Sequence, residues 1–204
     1  MNSFPSLPPQ APSRGTSRSR QYLKYLFTKQ GWSFDGQIPN IPQAVAILIP
    51  HTSNLDGWYG LLGLLGLGIK INILMKNTLF KTPLKPLLKA INAIPIQRNI
   101  NSGFTEQAIN QFKNNPCLWL GLAPEGTRAK TDHLRTGFYQ IAMGAHVPIV
   151  MFSLNYKTKS LTCLGQFNPT GHYDQDLEKI LAYYQGNFYP KRLENLSTSL
   201  KNML

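Results

Sequence analysis

Six short apolar runs, at 44–49, 71–75, 94–97, 117–122, 147–154 and 161–167, have the length of buried strands. They alternate with segments of helical periodicity at 57–67, 84–92, 102–114, 136–144, 175–184 and 191–200. Strands that alternate with helices must lie mostly parallel, because the chain returns across the sheet between them. The pattern therefore predicts an α/β fold, a single domain with a mixed, mostly parallel sheet flanked by helices. With 204 residues, 42% of them hydrophobic, the chain can bury one sizeable core. No internal repeat interrupts this reading.

The first twenty residues are rich in Ser, Pro and Arg and lack a long apolar run, so they do not form a secretory signal. Their composition predicts a disordered basic tail over 1–20, with an organelle transit peptide as the alternative, followed by one folded domain over 21–204. At 21–32, Tyr22, Leu23, Leu26 and Phe27 recur at helical spacing with Lys24 and Lys29 among them. That helix either packs on the domain or lies on a membrane surface. The greasiest stretch, Trp58 to Ile69, is too short to cross a bilayer.

Twenty-one Lys and Arg against nine Asp and Glu give a formal charge of +12, which favours anionic lipid or nucleic acid as partner. No recognised nucleic-acid motif accompanies the charge, so a lipid surface is expected and nucleic acid is not. Cys117 and Cys163 have no close-spaced partner and read as core thiols of a reducing compartment. The remaining histidines, His133, His146 and His172, lack metal-ligand spacing, and no metal is expected.

In a parallel sheet, binding groups gather beyond the carboxyl ends of strands. The run 44–49 delivers Pro50-His51-Thr52-Ser53-Asn54-Leu55-Asp56, and 117–122 delivers Ala123-Pro124-Glu125-Gly126-Thr127-Arg128. On a straight helix His51 and Asp56 would lie about 140° apart, so they require a loop turning into a helix to meet. An aspartate at that helix start can fold back and fix the imidazole tautomer, leaving the other ring nitrogen to act as a base near neutral pH. The second loop offers a guanidinium, a hydroxyl and glycine backbone suited to a phosphate. It departs from a nucleotide phosphate loop, which needs Lys and Ser or Thr where Thr127 and Arg128 stand.

Taken together, His51 to Asp56 and Pro124 to Arg128 resemble the glycerophospholipid acyltransferase family, which includes lysophosphatidic acid acyltransferases. Lys76, Ile94-Pro95-Ile96-Gln97-Arg98 and Val147-Pro148-Ile149-Val150 extend the resemblance. It implies transfer of an acyl group from an acyl-CoA or acyl-ACP thioester to a hydroxyl of a lysophospholipid or glycerophosphate-type acceptor. His51 would be the general base and Asp56 its support. Arg98, Glu125, Gly126, Thr127 and Arg128 would hold the acceptor head group, with Lys76 attracting its phosphate and Asn54 a candidate donor at the reacting oxygen. No cofactor beyond the thioester co-substrate is implied, and a cytoplasmic enzyme peripheral to a membrane is expected. The alternatives are a lipid hydrolase or thioesterase with Ser53 as nucleophile, which lacks a Gly-x-Ser-x-Gly elbow, and a basic nucleic-acid-binding protein.

Overall fold

The computed structural model describes residues 4–83, 85–96 and 103–204. Its strands are β1 (Ser33–Asp35), β2 (Gln43–Ile49), β3 (Ile71–Lys76), β4 (Ala93–Ile96), β5 (Leu118–Leu122), β6 (Ile149–Asn155) and β7 (Ser160–Phe167). They form one sheet in the order β1-β7-β6-β2-β5-β3-β4. Only the β6–β7 hairpin pairs antiparallel. The helices are α1 (Ser17–Lys29), α2 (Asn54–Leu67), α3 (Lys85–Ala90), α4 (Phe104–Asn114), α5 (Gly137–Ala145), α6 (Tyr173–Tyr184) and α7 (Thr198–Lys201).

The period-2 geometry of a strand sorts β2 onto two cores. Val45, Ile47 and Ile49 face α4, α5 and α6 and meet Phe112, Ile141 and Tyr184. Ala44 and Ala46 face α1 and α2 and meet Phe27, Leu62 and Leu67. Both faces of the central strands are thus covered, which is why these runs read as continuous apolar segments.

Glycines 57, 60, 63 and 66 recur every third residue along α2 and let it lie close to its neighbours. A Cβ on Gly63 would stand 2.5 Å from Leu161 Cδ2 and 3.3 Å from the Phe27 ring, and one on Gly66 would stand 3.2 Å from the Lys24 backbone. Most of the apolar stretch expected at 58–69 therefore belongs to α2, whose inner face packs into the core while Trp58 stays exposed. No helix among the described residues is long and apolar enough to cross a membrane.

Three expectations need correction, and one strand was not anticipated. Residues 4–16 do not behave as a disordered tail: Phe4 packs on Phe27 and Phe34 at 5.7 and 5.6 Å between ring centroids, and Ala11 is buried. Backbone bonds from Arg14 N–H to the Gly68 carbonyl and from Lys70 N–H to the Pro12 carbonyl hold the segment. Averaged composition hid these few anchors. Cys117 is exposed just ahead of β5, whereas Cys163 is buried as expected. The helix expected at 191–200 is a single 3₁₀ turn, Leu193–Asn195, followed by α7, because Arg192 and Asn195 bond the His51 loop instead. Strand β1, three residues long, has no legible periodicity.

Candidate active site

Neighbouring strands β2 and β5 release the two polar loops side by side. The first runs from the cis Ile49–Pro50 peptide through His51 and Thr52 to Ser53, which caps α2. Asp56 is the third residue of that helix and has no solvent exposure. Its Oδ2 accepts the backbone N–H of Thr52 and, at 2.7 Å, that of Ser53. Its Oδ1 accepts the Ser53 hydroxyl at 2.8 Å and the Tyr156 hydroxyl at 2.6 Å. A buried carboxylate needs such a set of donors, and the helix N-terminus adds a favourable field.

The loop geometry changes the expected partnership. Instead of receiving a ring N–H from His51, Asp56 binds the loop that carries it, and His51 Nδ1 is buried with no hydrogen-bond partner among the described residues. Asp56 acts on the imidazole through space. Burial holds the His51 pKa below its ordinary value, Asp56 pulls it upward, and Arg128 pushes it down. The net direction keeps the ring neutral and ready to take a proton near neutral pH.

Glu125 also departs from its expected place. Its side chain is buried, and Oε2 accepts the His51 backbone N–H. The second oxygen, Oε1, is buried with no hydrogen-bond partner among the described residues. Burial pushes the Glu125 carboxyl up to about 7, the His51 N–H opposes that rise, and the Asp56 charge adds to it. Through that bond the residue ties the two loops together. Gly126 adopts φ +67°, a left-handed conformation that favours glycine, and a Cβ there would lie 2.9 Å from Arg135 Cγ.

Two cavities meet at His51. One, of about 460 Å³, has mainly apolar walls that include Leu48, Trp58, Leu61, Leu64 and Phe152, with Asn54 beside them. The other, of about 810 Å³, is lined by Gly126, Thr127, Arg128 and Arg135 together with Leu74 and Phe104. His51 and Arg128 border both. The structure thus gathers His51, Asn54, Gly126, Thr127 and Arg128 around open space and sets Asp56 and Glu125 behind them. Lys76 ends β3, where only its place in the strand is described, and Arg98 lies outside the described residues. Ser53, the alternative nucleophile, spends its hydroxyl on Asp56.

Sequence reasoning missed Tyr156, Arg135 and the 189–195 segment. Tyr156 stands just beyond the carboxyl end of β6, the same position relative to a strand that singled out His51, yet it belongs to no polar cluster. The later segment braces the His51 loop and Tyr156: Arg192 N–H donates to Thr52 Oγ1, Asn195 Nδ2 donates to the Thr52 carbonyl, and Tyr156 N–H donates to the Tyr189 carbonyl. No local pattern announces such contacts, two of which span 140 and 143 residues.

The central strand ends of the sheet thus deliver His51 to the junction of an apolar and a cationic cavity, and the match of residues 35–155 to the family model described as Acyltransferase places the chain in that family. The fold is also that of the 1-acyl-sn-glycerophosphate (LPA) acyltransferase PlsC from Thermotoga maritima. That solved structure is 17% identical, with a TM-score of 0.57 over 83% of this chain and 77% of that one. No curated protein matches the chain by sequence.

Proposed function

We propose that this acyltransferase moves a fatty acyl group from a coenzyme A or carrier-protein thioester to a hydroxyl of a phosphate-bearing lysolipid, of the kind named for the Thermotoga maritima enzyme. The observation that carries the reading is the meeting of an apolar and a cationic cavity at one neutral, half-buried imidazole. The apolar cavity suits an acyl chain, and Arg128 with Arg135 suits the acceptor phosphate.

His51 Nε2 takes the acceptor hydroxyl proton as the oxygen attacks the thioester carbonyl carbon. The tetrahedral intermediate then collapses, the carbon–sulfur bond breaks, and the imidazolium returns the proton to the departing thiolate. Asp56 stabilises the transient imidazolium through space, and no acyl-enzyme forms. Thioester and lysolipid are co-substrates, and the scheme calls for no further cofactor.

The lipid surface is the proposed source of acceptor. Arg18, Tyr22, Tyr25 and Lys29 follow one another along a single exposed stripe of α1, and the Lys29 ammonium lies 5.6 Å from the Tyr25 ring centroid. Cations flanking tyrosines suit the headgroup region of an anionic leaflet, while exposed Trp58 and Leu55 stand on α2 beside the apolar cavity.

The test is thiol release from an acyl thioester that depends on added lysophosphatidic acid. His51→Ala is expected to lower the rate by about two orders of magnitude or more with an unchanged circular dichroism spectrum. A folded His51→Ala protein with ordinary turnover would overturn the assignment.

A further inference from the structure

Tyr156 lies at the edge of the region that matches the family, yet its hydroxyl makes a 2.6 Å hydrogen bond to the most buried carboxylate of the site. The ring is held by Trp32 edge-on at 5.0 Å and Tyr59 at 6.1 Å, and the backbone by Tyr189. The bond is therefore fixed from both ends. Every other close donor to Asp56 comes from Thr52 or Ser53, within the loop itself. Among the described residues, Tyr156 alone ties the carboxylate to a second strand.

We propose that Tyr156 is a positioning residue for the reaction: its hydroxyl completes the donor shell of Asp56, so that the carboxylate holds the loop and leaves His51 an unprotonated, lightly held base. Without that donor, Oδ1 loses part of its stabilisation and becomes a stronger acceptor. The carboxylate then attracts an imidazolium more strongly, or turns toward the unpartnered Nδ1 as a protonated ring would require. Either change makes His51 easier to protonate.

The titratable and charged groups around this pair are His51 and Glu125 from the two strand-end loops, Arg128, Tyr59 of α2, and Lys191, whose ammonium lies 5.7 Å from the Tyr156 ring centroid. Burial, and then the bond to Asp56, hold the Tyr156 hydroxyl far above its ordinary pKa, so it remains a donor throughout the working range.

The inference rests on His51 being the base, and the experiment separates the two. The His51 ring is titrated by NMR with labelled histidine, assigned by the resonance lost in His51→Ala, and the pH profile of kcat/KM is recorded alongside. Tyr156→Phe keeps the aromatic packing and is expected to raise the His51 midpoint, and the acid limb of kcat/KM, by about half a pH unit or more. Tyr59→Phe removes a hydroxyl from the same cluster that, among the described residues, bonds Gln30 alone, at 3.2 Å, and is expected to leave both where they are. Superimposable His51 titrations in wild type and Tyr156→Phe would overturn the proposal. So would a slower Tyr156→Phe enzyme whose midpoint has not moved, since that assigns Tyr156 to packing alone. A moved midpoint in a protein that transfers no acyl group would uphold the positioning role and sink the acyl-transfer reading.

Discussion

Replacing Glu125 by Gln tests whether this residue ties the loops together or binds the acceptor. In the folded protein its carboxyl is pushed from 4.5 up to about 7, chiefly by burial. A carboxyl whose folded pKa lies above the unfolded value holds its proton more tightly in the fold. Its stabilising contribution is therefore complete below about pH 4.5 and is lost as the pH rises through about 7. At about 1.4 kcal/mol for each unit of pKa, the ionised form costs the fold on the order of 3 kcal/mol. Gln keeps a carbonyl oxygen to accept the His51 N–H and never ionises. The stability of Glu125→Gln relative to wild type should therefore climb by about 3 kcal/mol between pH 4.5 and pH 7 and level off above that window. Urea denaturation of both proteins across that range measures it, and groups that titrate alike in the two cancel in the difference. Stability curves that run parallel with pH would refute the reasoning. The acceptor KM adds a second reading: a role in holding the loop leaves it unchanged, whereas a direct bond from Glu125 to acceptor hydroxyls would raise it.

Two further outcomes follow from the cationic cavity and from α1. Arg128→Ala and Arg135→Ala should each raise the KM for a phosphate-bearing acceptor about tenfold and leave the KM for the thioester unchanged; equal rises for both substrates would remove the phosphate site from this cavity. Double replacement of Tyr22 and Tyr25 by Ala should weaken co-sedimentation with anionic vesicles and leave transfer to detergent-dispersed lysolipid intact, and unaltered sedimentation would move the docking surface elsewhere.

The fold was legible where a single rule governs a segment. Strands β2, β5 and β6 are buried on both faces, so their uninterrupted apolar runs marked them within one or two residues of their ends. The sequence also located the two loops, since both lie beyond strand ends. What it did not disclose was the direction of individual side chains. Asp56 and Glu125 were both expected to face a ligand or the imidazole, and both turn inward to bind backbone N–H groups. A carboxylate in a loop can serve either purpose, and the choice depends on which donors the tertiary fold brings near. Tyr156 and Asn195 were missed for a related reason: each acts on a residue that only the completed sheet makes a neighbour.

The coupling of core to chemistry runs through the register of two strands. Ile47 pairs with Leu122 in the parallel ladder of β2 and β5, so the chain beyond each strand starts at matched height. Four residues past Ile47 stands His51, three past Leu122 stands Glu125, and the His51 N–H meets that carboxylate. A slip of one residue between these strands would turn Val45, Ile47 and Ile49 out of the core formed with α4, α5 and α6, and would also carry His51 past its partner. The alternation that buries one face of β2 is therefore what aligns His51 with Arg128 at the mouth of both cavities. Core packing and the geometry of the site depend on the same register, although the two loops lie 74 residues apart in the chain.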